Sequence, residues 1–314
     1  MRCKSLVTLI LVILTLSPVG VAVSHAAEAG PNPSRRDSAS RRQGGSADAD
    51  IEADRVAVFK TIDGVSLSLY VFFPEHRPPA EPRPGIVFFF GGGFVSGSPK
   101  QFEPHCRYLS QRGMVAITAE YRVKNRHGTT PLESFRDGKS AIRWTRQHGN
   151  ELGIDPNKLA AGGGSAGGMV AAVCGVVPGW DEPGEDLTVS SRPDALVLFN
   201  PAVMGKALPG EAQTGQLGVA KDLLPYYHIR EGLPPCIMFF GGEDRFLAGA
   251  QEFQQAAVEK GNRCELKVWP GFNHGFFNFG RSGNRAFRET LLEADRFLAE
   301  LGYLQGEPRP EYLP

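Results

Sequence analysis

From residue 54 onward the apolar positions fall into two rhythms. Residues 56–60 and 66–73 alternate apolar and polar about Asp63-Gly64, the two-residue signature of a β-hairpin. Residues 85–90, 114–121, 159–162, 195–199, 237–240 and 266–269 are instead short, unbroken apolar runs. Such runs suit the strands of a parallel sheet, which are covered on both faces. Between them, residues 132–151 carry Phe135, Ile142 and Trp144 among charges and stop at Gly153 and Pro156. Residues 251–260 and 285–301 read as two further amphipathic helices. Strands alternating with helices predict an α/β fold with right-handed crossovers: a mostly parallel eight-stranded sheet with helices on both faces. Two irregular stretches, 178–192 and 201–234, are long for connections, and long loops are commonly functional, so they are the expected walls of a substrate pocket.

The first 50 residues follow neither rhythm. Arg2 and Lys4 precede an apolar run over 6–16 broken only by Thr8 and Thr15, and Ser24-His25-Ala26 offers a cleavage signature. The run is short of the roughly 20 apolar residues that span a bilayer, so a cleaved signal peptide over 1–26 is expected, with no stable membrane insertion afterwards. Residues 27–50 are rich in Pro, Ser, Arg, Gly, Ala and Asp without apolar periodicity and are expected to be a disordered linker. The body then runs over 51–305, with a short tail at 306–314. This organisation predicts a secreted or periplasmic protein.

Composition narrows the function classes. The 314 residues are 41% hydrophobic and 22% charged with zero formal net charge, an ordinary globular balance with no basic field for nucleic acid. Outside the leader the cysteines are Cys106, Cys174, Cys236 and Cys264. Export permits disulfides, whereas Cys174 and Cys236 lie in buried-type runs that also suit free thiols. Cys236 with Cys264 is the pair to examine, because they precede strands expected to be neighbours. No Cys or His cluster has metal-ligand spacing.

Four segments carry chemistry, each just after a predicted strand. Gly163-Gly164-Ser165-Ala166-Gly167 is a Gly-x-Ser-x-Gly at a strand-to-helix junction, where a sharp turn can thrust the hydroxyl of Ser165 out of the sheet. Phe90-Gly91-Gly92-Gly93-Phe94 follows the third run. Its glycines let backbone amides approach a developing oxyanion, with Gly92, Gly93 and Ala166 as the expected donors. Gly241-Gly242-Glu243-Asp244-Arg245 supplies a carboxylate, and Asp244 is preferred to Glu243. His274 lies on the glycine-flanked loop after the last run and is the candidate base. Their chain order, Ser165, Asp244, His274, is that of the α/β-hydrolase triad. Arg122 and Asp137 read as a structural ion pair. Phe272, Phe276, Phe277 and Phe279 suit either an acyl pocket or packing beneath the histidine loop.

On these motifs the chain resembles α/β-hydrolase esterases and lipases, in particular the hormone-sensitive lipase group and its secreted bacterial relatives. The resemblance covers about residues 56–301 and includes Ala119-Glu120-Tyr121-Arg122 and Leu152-Gly153-Ile154-Asp155-Pro156. It implies the α/β-hydrolase fold. Two departures stand out. Phe90 occupies the place of the family's usual histidine before the glycines, so the oxyanion loop is expected to be intact but differently braced. The region before the body is short, which implies a minimal cap and an open pocket.

The expected function is hydrolysis of a short-chain carboxylic ester through an acyl-enzyme on Ser165, with no cofactor or metal. The partner is a small-molecule or glycan ester. Alternatives with the same residues are a carbohydrate esterase that deacetylates polysaccharide and a prolyl-oligopeptidase-like serine peptidase, for which no propeller repeat is visible. A non-catalytic binding protein on the same fold is a third.

Overall fold

The computed structural model describes residues 50–206 and 217–314; the expected leader over 1–26, and the linker apart from Asp50, lie outside them. In chain order the elements are β1 (Arg55–Ile62), β2 (Val65–Phe72), β3 (Arg83–Phe89), α1 (Glu103–Gln111), β4 (Val115–Ala119), α2 (Lys124–His127), α3 (Pro131–Gln147), α4 (Gly149–Leu152), β5 (Ile154–Gly164), α5 (Ala166–Val176), β6 (Ala195–Phe199), β7 (Cys236–Gly241), α6 (Leu247–Glu259), β8 (Cys264–Trp269) and α7 (Arg285–Glu300). The eight strands form one sheet in the order β1-β2-β4-β3-β5-β6-β7-β8. β2 runs antiparallel to β1 and β4, and every other pairing is parallel. The hairpin turn is at Asp63-Gly64, both with positive φ (50° and 76°), as the favoured two-residue turn requires.

The unbroken apolar runs are explained by burial on both faces. Along β3, Val87 and Phe89 enter one core while Ile86 and Phe88 enter the other. The first core is closed by α3, α5 and α6 through residues such as Phe135, Ile142, Val170 and Phe253. The second is closed by α1 and α7 through Tyr108, Leu109, Phe287 and Leu291. All of α5 is buried, which is why it carries no charged stripe.

Several boundaries differ from expectation. The helix expected over 132–151 is two helices. α3 opens with a Thr130/Glu133 capping box and Pro131, then stops at His148. That ring stacks on Trp144 with centroids 3.9 Å apart and lies 2.9 Å from its carbonyl, which also accepts from the His148 amide (3.0 Å). α1 was not anticipated, because His105 places a polar residue on its otherwise apolar face. The 178–192 stretch instead lines a cleft at the C-terminal end of α5, with Cys174, Val176 and Arg143. Its carboxylates are paired: Asp181 and Glu185 pair with Arg143 on α3, and Glu182 pairs with Lys60 and Arg122. The 201–234 stretch, in its described part, packs Val219, Leu223 and Leu224 onto the first core. Residues 306–314 return to α1, with the Arg309 amide donating to the Tyr108 hydroxyl (3.2 Å).

Arg122 and Asp137 form the expected ion pair, fork to carboxylate at 2.8 Å on both arms, and Asp137 also accepts from Lys60 (2.7 Å). Cys236 and Cys264 are direct register partners across β7 and β8. All four cysteines among the described residues are buried free thiols.

Candidate active site

Each chemistry-bearing residue sits just past the C-terminal end of a strand, where the crevice of a parallel α/β sheet opens. Ser165 links β5 directly to α5 with φ 52° and ψ −118°, a conformation that non-glycine residues rarely adopt. The flanking glycines are required by close backbone approach. A Cβ at Gly163 would lie 2.4 Å from the Gly167 carbonyl oxygen, and one at Gly167 would lie 2.1 Å from that of Phe89. The strain at Ser165 is held by its own peptide: its N–H donates to Phe199 O (2.9 Å), and its carbonyl accepts from Met169 and Ala202 (both 3.0 Å).

The loops after β7 and β8 bring the other two side chains in. His274 Nε2 is 2.7 Å from Ser165 Oγ, and His274 Nδ1 is 2.7 Å from Asp244 Oδ2. The Asp244 carboxylate is fully buried while the imidazole is about a third exposed (side chains 0% and 32%). Asp244 Oδ1 is held by the Phe246 amide (2.9 Å). A buried carboxylate facing Nδ1 keeps the proton on that nitrogen, which leaves Nε2 as an acceptor for the serine hydroxyl. Glu243 is exposed and contributes only its backbone amide, to Phe272 O (3.0 Å). The arrangement can transfer a proton from Ser165 while its oxygen attacks a carbonyl.

The glycine loop lies beside the hydroxyl: a Cβ at Gly91 would be 3.3 Å from Ser165 Cβ. The Gly91 amide is already engaged, donating to Gln101 Oε1 at 2.6 Å. Neither Gly92 (φ 132°) nor Gly93 (φ 66°) donates its amide to an acceptor among the described residues. A side chain at Gly92 is impossible, since its Cβ would lie 1.9 Å from Ser96 O. Ala166 is the first residue of α5, so its amide has no acceptor within the helix. Leu217 is beside this loop, 3.9 Å from a Cβ built on Gly93.

Phe90 shows how the loop is braced without a histidine. Its ring is fully buried and stacks on Tyr121, with centroids 4.1 Å apart and planes at 16°. The Tyr121 hydroxyl returns to donate to Phe90 O at 2.6 Å. The Arg126 guanidinium covers the Phe90 ring at 5.8 Å. The aromatic residues after His274 divide. Phe276 and Phe277 are core, and a Cβ at Gly164 would lie 2.5 Å from Phe277 Cζ; Phe279 is exposed. Tyr226 and Tyr227 face Lys206 and Lys221, and His228 bonds the Asp222 carbonyl (2.7 Å).

Three amides around the site were not anticipated. Asn200, after β6, is fully buried and accepts from the Gly275 amide (3.0 Å), with its Nδ2 3.4 Å from His274 Nε2. Gln101 Nε2 donates to Asn278 Oδ1 (2.6 Å), and Asn278 Nδ2 donates to Gly275 O (2.8 Å). Uncharged amides have no spacing signature, so only their position just after strand ends or motif loops could have drawn notice. Among the described residues, no group of three His, Cys, Asp or Glu is placed to hold a metal ion. No helix among them is long and apolar enough to cross a membrane.

Comparison with known proteins agrees with this architecture. The BD-FAE family model matches residues 69–197. The chain is 46% identical to an esterase from the planctomycete Thermogutta terrifontis solved with propionate bound; the superposition has a TM-score of 0.77 and covers 82% of this chain and 98% of that one. It is 30% identical over 115 residues to esterase LipI of Mycobacterium tuberculosis, covering 36% of this chain and 35% of LipI. It is 27% identical over 248 residues to the probable carboxylic ester hydrolase LipM of the same organism, covering 70% of this chain and 56% of LipM. The chain therefore spans about a third to just over half the length of these two relatives. With one eight-stranded sheet, a serine on a strained strand-to-helix turn, and near-complete overlap with a solved esterase, the chain belongs to the α/β-hydrolase family of esterases and lipases.

Proposed function

We propose that the protein is a serine carboxylesterase acting on short-chain esters through an acyl-enzyme. The observation that carries this reading is the unbroken chain from Asp244 through His274 to Ser165, with both links at 2.7 Å. Ser165 Oγ attacks the ester carbonyl as His274 Nε2 takes its proton. Asp244 holds the imidazole tautomer and balances the imidazolium that forms. The amides of Gly92, Gly93 and Ala166 receive the tetrahedral oxyanion; each such donor is typically worth about 3 kcal/mol of barrier. His274 then protonates the leaving alcohol and activates the water that cleaves the acyl-enzyme. No step in this scheme needs a cofactor. A short acyl group is supported by the solved relative, which has been captured with propionate and with butyrate. Export is the reading of the basic-then-apolar N-terminus, and N-terminal sequencing of the protein from a periplasmic or culture fraction tests it.

The decisive experiment compares purified wild-type protein with Ser165→Ala on aryl acetate, butyrate and octanoate, alongside an acetylated-glycan panel. Wild-type protein is expected to turn over acetate and butyrate best, with a loss of at least about 10³-fold in the variant. Equal rates in both proteins would overturn the assignment. Preference for the glycan acetates would redirect it to polysaccharide deacetylation.

A further inference from the structure

Gly91 opens the glycine loop, and Gly275 follows the base, yet a single string of side-chain amides joins them. The Gly91 N–H donates to Gln101 Oε1 (2.6 Å), Gln101 Nε2 donates to Asn278 Oδ1 (2.6 Å), and Asn278 Nδ2 donates to Gly275 O (2.8 Å). On its other side Gly275 donates its N–H to Asn200 (3.0 Å). The direction of the string is fixed. A backbone N–H can only donate, so Gln101 must offer its oxygen there and its nitrogen onward. The final carbonyl can only accept, so Asn278 must present nitrogen to it. Turning either amide over breaks two bonds at once.

The supports of the string are rigid. Gln101 lies in the short turn Pro99–Phe102, capped by the Ser98 hydroxyl accepting from the Lys100 amide (3.2 Å), with Pro99 and Phe102 buried. Asn278 lies one turn past His274, beside the buried Phe276 and Phe277. The Gly91 amide is engaged by Gln101, whereas the next two amides donate to no acceptor among the described residues. Asn278 and Asn200 clamp the two peptide groups that follow His274.

We propose that Gln101 and Asn278 are positioning residues that lock the oxyanion amides and the catalytic imidazole into one frame. This rests on the triad reading above. The string acts when charge develops on the oxyanion and on His274, so its loss lowers kcat and leaves KM nearly unchanged. One net hydrogen bond amounts to about tenfold in rate. Its members also depend on one another: once Gln101 is gone, Asn278 has no fixed partner on that side.

The test uses full-chain Gln101→Met, Asn278→Leu and the double variant. Rates on an aryl acetate are normalised to active sites titrated with an organophosphate, so misfolded protein does not count. Each single variant is expected to lose about tenfold in kcat, with KM within about twofold and the double variant close to the worse single. Should Gln101→Met fail to fold, Gln101→Glu retains the acceptor for Gly91 but cannot donate to Asn278, and the same loss is expected. Single-variant kcat values within about twofold of wild type, or a double variant falling by the product of the two losses, would overturn the proposal. An inactive wild type or an active Ser165→Ala would instead refute the triad reading beneath it.

Discussion

His105 is a charged-type side chain enclosed by hydrocarbon, and replacing it with leucine isolates what that enclosure costs. The imidazole is fully buried among Phe88, Phe102, Phe199, Phe277 and Phe287, with ring centroids 4.8–6.1 Å away. Neither ring nitrogen has a hydrogen-bond partner among the described residues. Loss of hydration lowers its pKa from 6.5 to about 3. Between those values the unfolded chain binds a proton that the folded protein refuses. Unfolding therefore takes up a proton, and stability rises with pH across this window. Above the unfolded pKa the effect vanishes; below it, stability falls by about 1.4 kcal/mol per pH unit until the folded pKa is reached. At about pH 4.5 the deficit relative to about pH 8 is close to 3 kcal/mol. His105→Leu removes this term, and at about pH 8 it also relieves two unsatisfied nitrogens, at roughly 1–3 kcal/mol for such a buried group. Urea unfolding followed by tryptophan fluorescence, at both pH values, measures the difference. Wild type is expected to lose about 3 kcal/mol more than the variant on acidification. Losses that run parallel to within about half a kcal/mol would refute the reasoning, since the carboxylates common to both proteins would then account for the whole acid response.

Three further substitutions probe other parts of the frame. Asp137→Asn leaves Arg122 and Lys60 facing a neutral amide in a buried site, and a loss of about 3–5 kcal/mol is expected in the same urea assay; a loss under about 1 kcal/mol would mean Glu182 alone can balance the two cations. Gly167→Ala forces a methyl group against the Phe89 and Phe90 carbonyls, 2.1 and 2.2 Å away, so soluble yield and melting temperature should collapse together. A variant that melts like wild type would show that the elbow backbone can move. Tyr121→Phe deletes the hydroxyl that holds the Phe90 carbonyl but keeps the ring stack. It should cost about 1 kcal/mol of stability and several-fold in kcat on an aryl acetate, and an unchanged kcat would remove Tyr121 from the bracing of the loop.

The parallel strands were legible because each is buried on both faces and so reads as an unbroken apolar run, as in 195–199. The three side chains that meet at 165, 244 and 274 were legible as candidates because glycine turns at strand ends mark where a backbone must bend sharply or approach another closely. What escaped notice depends on distant partners. Gln101 meets Asn278 across 177 positions, and Asn200 meets Gly275 across 75. An amide with no charge and no period does not announce such a bond. The acidic stretch around Glu182 and Glu185 looked like a pocket wall because it is long and irregular. Its carboxylates instead meet cations from β1, α3 and the segment after β4, a pairing visible only once the sheet is assembled. Likewise α1 was hidden by His105, a polar residue whose aromatic cage comes from five other segments.

The stacked phenyl ring at the head of the glycine loop also carries a consequence for acidity. An imidazole in that place would exchange a proton somewhere between about pH 5 and 8, and the neighbouring amides would feel its charge appear and vanish. Residues 90–94 contain no group that titrates. Protonation therefore cannot change the charge of this stretch itself, and the free amides of Gly92 and Gly93 keep one local field across the range in which a histidine there would gain and lose its proton.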